Sequence, residues 1–238
     1  MGGGLACSRT PPIRAPVPPE LAHITAWIFD LDNTLYPASS NLFQQVDARM
    51  TAYVQRLTGL PYDAARSLQK RYFFDHGTTV AGLMAEHGVD AHHFLEDVHD
   101  IEMDVLEANA PLAAAIARLP GRKLVFTNGD APYAARVLDR LGLGSTFEAV
   151  HDIHAMALAP KPAASAYASL CDQWAIYPAH ALFVDDMARN LPPAKAIGMT
   201  TVWVDNGSEQ APGDAREAID YTIDDVTAWL HTLLGEDA

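Results

Sequence analysis

A chain of 238 residues with 30 acidic and 16 basic side chains carries a formal net charge of −14, and 49% of its residues are hydrophobic. That is enough apolar material for one globular domain with a large insertion, or for two small domains. The negative charge repels a polynucleotide backbone and an anionic bilayer surface, which excludes polymeric nucleic acid and membrane as expected partners.

A small anionic substrate remains open, because a metal ion, a lysine and backbone N–H groups can reverse the field inside one cleft. No run approaches the ~18 consecutive apolar residues of a membrane-spanning helix, and the N-terminus has no apolar stretch of signal-peptide length, so a soluble protein is expected. Cys7 and Cys171 match no paired or metal-ligand spacing, which points to a reducing, cytoplasmic setting. Met1-Gly2 begins like a myristoylation signal, but Ala6 stands where Ser or Thr is required.

In chain order, residues 1–20 hold three consecutive glycines and five prolines and read as a flexible tail. Ile24 to Phe29 is a short apolar run without Gly or Pro, as expected for a strand buried on both faces. It ends abruptly in Asp30-Leu31-Asp32-Asn33-Thr34. Helical spacing follows: Leu42, Val46, Met50, Tyr53 and Leu57 share one face, Leu68, Tyr72 and Phe73 mark a helix after Pro61, Val80 to Ala85 a third, and Phe94, Val98, Ile101 and Val105 a fourth.

After residue 109 strand and helix alternate: Lys123–Phe126 with a helix to Leu141, Ala181–Val184 with one to Ile197, and Thr201–Val204 with a last helix near Val226–Leu234. Such alternation predicts an α/β fold with a doubly wound, parallel, Rossmann-like sheet. Residues 20–37 and 109–238 form the core domain, and 38–108 an inserted all-helical subdomain.

Asp30 and Asp32 sit just past the carboxyl end of the first strand, where open parallel sheets bind ligands. Residues i and i+2 of an extended chain point the same way, so both carboxylates can face one cleft. One can attack as a nucleophile, being ionised at neutral pH, while the other donates and removes protons. Alone, Asp-Leu-Asp-Asn-Thr is as readily a turn with a helix cap.

Three further segments change that balance. Leu124 to Gly129 ends a strand in the hydroxyl of Thr127 and a short loop at Asn128 whose N–H groups can hold phosphate oxygens. Lys161 lies between Pro160 and Pro162, whose stiff backbone can fix an ammonium as a phosphate clamp. Leu182-Phe183-Val184-Asp185-Asp186 brings two more carboxylates to the same sheet edge. One of these can cap the next helix, but four converging acids require a neutralising cation, and hard oxygen donors suit Mg²⁺.

These four segments, in this order, resemble the motifs of the haloacid dehalogenase superfamily of phosphohydrolases. The resemblance implies Asp30 as nucleophile and metal ligand, and Asp32 as acid/base with its carbonyl on the metal. Thr34 would support that loop at the substrate site, and Thr127, Asn128 and Lys161 would hold the phosphoryl group. Asp186 would bind the metal directly, Asp185 directly or through water, and Asn190 would orient the acidic loop. The superfamily's dehalogenating members lack a second acid like Asp32, so its presence favours phosphoryl chemistry.

The insertion resembles the superfamily's helical cap, which closes over the site. Phe29 to Pro37, with His76-Gly77-Thr78-Thr79 and Gly82-Leu83, is similar to the pyrimidine 5′-nucleotidase branch. On that resemblance Tyr36, His76 and Thr79 would line a nucleoside or sugar pocket, although His and Tyr on such helices are more often packing or surface residues. Met187 departs from the Ser that relatives often carry, which removes a local hydrogen bond. The adjacent His92 and His93 point to different sides of a helix and cannot chelate together, so they are read as structural.

The implied activity is a Mg²⁺-dependent phosphomonoesterase with an aspartyl-phosphate intermediate, acting on a small phosphorylated metabolite. Pyrimidine nucleoside 5′-monophosphates are the first expectation, phosphosugars or phosphoglycolate the alternative, and a phosphomutase or a non-catalytic binding module the more distant ones.

Overall fold

The structure, a computed structural model, describes residues 17–210 and 215–235. It begins with β1 (Ala26–Phe29), all four residues of which are buried, and continues through four helices: α1 (Leu42–Thr58), α2 (Tyr62–His76), α3 (Thr79–His87) and α4 (Ala91–His99). The chain returns through α5 (Ala110–Arg118) to β2 (Arg122–Phe126), α6 (Ala131–Arg140), β3 (Ala149–His151) and α7 (Ala164–Trp174). It closes with β4 (Ala181–Asp185), α8 (Leu191–Ala196), β5 (Thr200–Val204), β6 (Tyr221–Ile223) and α9 (Val226–Leu233).

Among the described residues the strands form one six-stranded sheet in the order β3-β2-β1-β4-β5-β6, with every neighbouring pair parallel. The alternation of strands with helices dictates this, since parallel neighbours need crossovers. β1 lies between β2 and β4, with Phe29 opposite both Val125 and Val184. A strand flanked on both edges and covered on both faces must be continuously apolar, which explains Ala-Trp-Ile-Phe. The Asp30 N–H donates to the Val184 carbonyl at 2.8 Å, extending the ladder one residue beyond β1. The strand order reverses at β1 and β4, so their carboxyl ends open the crevice in which such sheets bind ligands.

The core gathers Trp27, Phe29, Phe126, Tyr167 and Phe183, all fully buried, and the Trp27 indole N–H donates to the Pro120 carbonyl at 2.8 Å. In the inserted helices, side chains of Thr78 and Asp90 cap α3 and α4 by accepting from the N–H groups of Ala81 and His92. His93 pairs with the Tyr53 hydroxyl at 3.0 Å, while the His92 ring lies beside His154 with 4.8 Å between centroids. The two adjacent imidazoles thus serve different neighbours. No helix among the described residues is long and apolar enough to cross a membrane.

Two sequence expectations are corrected, and three elements are added. The fourth helix ends at His99 instead of continuing through Ile101 and Val105: Ile101 is buried in the linker, Val105 is 45% exposed, and Arg136 holds the carbonyls of His99 and Ile101 at 2.9 and 2.6 Å. The apolar spacing there reflects linker packing against α6. The expected tail stops short of residue 20, because Val17 packs on the core and Pro19–Leu21 form a 3-10 turn with Leu21 buried; its first 16 residues lie outside the described ones. Helix α5 and strands β3 and β6 were not anticipated, the two strands being only three residues each, too short for a period to register.

The α2–α3 packing depends on Gly82, where an added Cβ would lie 2.4 Å from the Cβ of Tyr72. Gly82→Ala therefore overpacks the insertion and is expected to destabilise the protein by about 1–3 kcal/mol, read as a lower denaturation midpoint. An unchanged midpoint would show that α3 can slide away freely.

Candidate active site

Lys161 is 1% exposed, and its ammonium donates three short hydrogen bonds: to Asp30 Oδ1 at 2.7 Å, Asp185 Oδ2 at 2.7 Å and the Phe126 carbonyl at 2.8 Å. These acceptors end the three central strands β1, β4 and β2. The ammonium also lies 5.0 and 5.2 Å from the ring centroids of Phe126 and Phe183. Its backbone is held by Asn128, whose side-chain oxygen accepts from the Lys161 N–H at 2.9 Å and whose amide donates to the Lys161 carbonyl at 3.1 Å. Asn128 was expected on the phosphoryl group; its side chain bonds the peptide that carries the lysine, which leaves its backbone N–H out of that pairing.

The acidic loop is braced as tightly. Asn190 donates to both oxygens of Asp185 at 3.0 Å, and the Met187 N–H donates to Asp185 Oδ1 at 2.8 Å. The backbone thus makes a local hydrogen bond at the position where Met187 replaces Ser. The Thr34 hydroxyl donates to Asp30 Oδ2 at 3.2 Å and accepts from the Asp186 N–H at 3.1 Å, tying the first acidic segment to the last.

One carboxylate oxygen from each of Asp30, Asp185 and Asp186 lies within 4.8 Å of the others. Fully ionised, three carboxylates less one ammonium would carry two net negative charges in a site where Asp185 and Asp186 are at most 2% exposed. Burial pushes Asp30 up to about 7 even though Lys161 pulls the other way, with Asp185 and Asp32 adding to the rise. Burial, then the charges of Asp30 and Asp185, hold Asp186 well above the usual carboxylate range. Burial draws the Lys161 ammonium down, but Asp185 and Asp30 outweigh it and leave it raised. Hard oxygen donors with two uncompensated charges fit a divalent cation such as Mg²⁺, and these three residues are the ones that would hold it.

Asp32 stands apart from this cluster. Its Oδ1 accepts from the Tyr36 hydroxyl at 2.5 Å and the Tyr133 hydroxyl at 2.6 Å. Burial raises its pKa, and the hydrogen bonds from Tyr133 and Tyr36 oppose that rise. Tyr36, expected to line a substrate pocket, is 3% exposed with its hydroxyl on Asp32. Thr127 is fully buried beside the site, its Oγ1 accepting from the Gly129 N–H at 3.0 Å. Thr79 is buried in the first turn of α3, and His76 lies 3.7 Å from Glu86 and edge-on to Tyr72 within the insertion.

The insertion reaches the site through the turn between α2 and α3. The Gly77 backbone lies against the Lys161 carbonyl and the Pro160 ring, where a Cβ would make ordinary contact at 3.4 Å; its φ of 88° is what favours glycine there. Arg189 fastens the same turn, donating to the carbonyls of Phe73 at 3.1 Å and Gly77 at 2.7 Å with its guanidinium 4.1 Å from the Phe73 centroid. Tyr133, Arg189 and the Phe126 carbonyl escaped the sequence reading. Only Tyr133 carried a local signal, three residues after the α6 N-cap Asp130, and that signal gives no hint of Asp32.

A family model described as haloacid dehalogenase-like hydrolase matches residues 24–198. Among curated proteins, phosphate metabolism protein 8 of Saccharomyces cerevisiae is 25% identical; the match covers 73% of this chain and spans 59% of the yeast protein's length. Among solved structures, a HAD phosphatase from Thermococcus onnurineus superposes with a TM-score of 0.59 at 19% identity, covering 90% of this chain and 99% of that one. The L-2-haloacid dehalogenase of Xanthobacter autotrophicus, with chloropropionic acid covalently bound, gives 0.56 at 18% identity over 90% of this chain and 100% of its own. The magnesium-bound HAD-hydrolase YfnB of Bacillus subtilis gives 0.57 at 16% identity, over 89% and 98%. At such identities the structural likeness speaks for the fold alone. The family match spans most of the chain, from the residues just before β1 to those just after α8, and with it this protein is placed among the haloacid dehalogenase-like hydrolases.

Proposed function

We propose that the chain is a Mg²⁺-dependent phosphomonoesterase that forms an aspartyl-phosphate on Asp30. The observation that carries this reading is the separation of two carboxylates by environment. Asp30 sits against Lys161 and the acids Asp185 and Asp186, whereas Asp32 is held by two tyrosine hydroxyls. Two carboxylates in unlike surroundings suit two roles, nucleophile and proton donor. In this reading an oxygen of Asp30 bonds to phosphorus as the bond to the leaving oxygen breaks, and Asp32 supplies the proton that oxygen takes. Asp32 then removes a proton from the water that hydrolyses the acyl phosphate.

The N–H groups of the loop at Thr127 and Asn128 would bind the phosphoryl oxygens, joined by Lys161 as its ammonium exchanges one of its three present acceptors for the phosphoryl group. A cation held by Asp30, Asp185 and Asp186 would neutralise charge on that group. Asp185 is already engaged by Lys161, Met187 and Asn190, which supports Asp186 as the more available donor.

For substrate, the run Phe29 to Pro37 supports pyrimidine nucleoside 5′-monophosphates, with phosphosugars or phosphoglycolate as the alternative, in a cytoplasmic setting. The approach of Gly77, in the turn His76-Gly77-Thr78, to the Lys161 carbonyl supports a role for the insertion in reading the leaving group. Dehalogenation is the second reading, since dehalogenases share the fold. It makes no use of an acid held like Asp32.

Phosphate release from nucleoside monophosphates, sugar phosphates and phosphoglycolate should require Mg²⁺, cease in excess chelator and be lost in Asp30→Asn. Halide release from 2-haloacids in place of phosphate release would sink the phosphatase reading, and preference for sugar phosphates would move the substrate class. Stability of the metal-free protein gives a second check. Asp30 at about 7 lies above its ordinary 3.8, so the folded state holds a proton the unfolded state lacks. Its stabilising contribution is full below about pH 4 and is lost as pH rises through about 7. In chelator, unfolding midpoints measured from pH 5 to 8 should fall more steeply for the wild type than for Asp30→Asn; parallel curves would contradict the assignment.

A further inference from the structure

Asp32 accepts two hydroxyl hydrogen bonds on one oxygen, and the residues supplying them come from different elements. Tyr36 follows Asp32 in its own loop, whereas Tyr133, from the first turn of α6, is 101 residues away in sequence. Both phenols are at most 3% exposed, and each hydroxyl lies within hydrogen-bond distance of Oδ1 and donates to it. An oxygen receiving two O–H donors is a poor place for the carboxyl's own proton. The pair therefore selects Oδ2 as the oxygen that carries a transferable proton, and stabilises the carboxylate left behind after transfer.

Tyr133 is in turn fixed from the helical insertion. The imidazole of His99, the last residue of α4, stacks on the Tyr133 ring at 4.1 Å and 11°, and its Nδ1 lies 3.0 Å from Asp130 Oδ1. The same Asp130 oxygen accepts from the Tyr133 N–H at 3.1 Å. Arg136 holds the carbonyls on either side of this junction. The phenol that orients Asp32 is thus gripped by the segment through which the insertion returns to the sheet.

We propose that Tyr133, together with Tyr36, is a positioning residue that sets the Asp32 carboxyl to protonate the leaving oxygen, with His99 linking that orientation to the helical insertion. This rests on the phosphatase reading above and concerns its first step. As the Asp30–phosphorus bond forms and the phosphorus–oxygen bond breaks, the Oδ2 proton passes to the departing oxygen and Oδ1 keeps both tyrosine hydrogen bonds. The consequence is selective. A leaving group that departs easily as an anion needs no proton, whereas an alkoxide-like one does.

The test is kcat/KM, which reports steps up to the first irreversible one, for a series of aryl and alkyl phosphates of increasing leaving-group pKa. It would be measured with wild type, Tyr133→Phe, Tyr36→Phe, the double variant and Asp32→Asn. Tyr133→Phe keeps the ring that stacks on His99. Each single variant should lose about tenfold on alkyl phosphates and little on dinitrophenyl phosphate. The dependence on leaving-group pKa should steepen, the double variant approaching Asp32→Asn. A uniform loss across the series, or slopes parallel to wild type, would overturn the inference while leaving the phosphatase reading intact. Absence of phosphate release from every ester by the wild type would overturn both.

Discussion

A fully buried ammonium is tolerated only where acceptors surround it, and Lys161 meets that demand with Asp30, Asp185 and the Phe126 carbonyl. The three acceptors are the carboxyl ends of adjacent strands, so the charge pairing and the sheet order enforce one another. Misregister any of β2, β1 or β4 and an acceptor moves away, leaving a charge in a low-dielectric interior. The lysine itself sits on a loop, which is why its peptide needs Asn128 on both its N–H and its carbonyl.

The pairing is incomplete by design of the residue set. One ammonium cannot balance Asp30, Asp185 and Asp186 when all three are ionised, and their converging oxygens are a donor set that could hold a divalent cation. The supporting hydrogen bonds keep the acids from relaxing apart: Thr34 joins the first segment to the last, and Asn190 with the Met187 N–H fixes Asp185.

Asp32 belongs to a second network, and the insertion touches both. Arg189 ties the Phe73–Gly77 turn to the acidic loop, and His99 ties the end of α4 to Tyr133. The helices are therefore anchored beside the acidic loop at one point and beside Tyr133, which holds Asp32, at another. A displacement of the insertion would be felt at both carboxylates, through unlike contacts.

Much of this was legible in the chain itself. Residue type and order made the α/β class, the buried first strand and the acids at strand ends readable, because apolar periodicity and strand-end carboxylates are local properties. The partnerships were not local. Lys161 is 131 residues from Asp30 and 24 from Asp185, and Tyr133 is 101 from Asp32. The sequence by itself determined that four acids, a lysine and an amide would meet at one edge of a parallel sheet. Only the tertiary structure decided that Asn128 serves the lysine's backbone, that Tyr36 serves Asp32, and that Tyr133 joins it. Which side chain fills which hydrogen-bonding vacancy depends on the packing of elements distant in sequence, and no spacing along the chain encodes that.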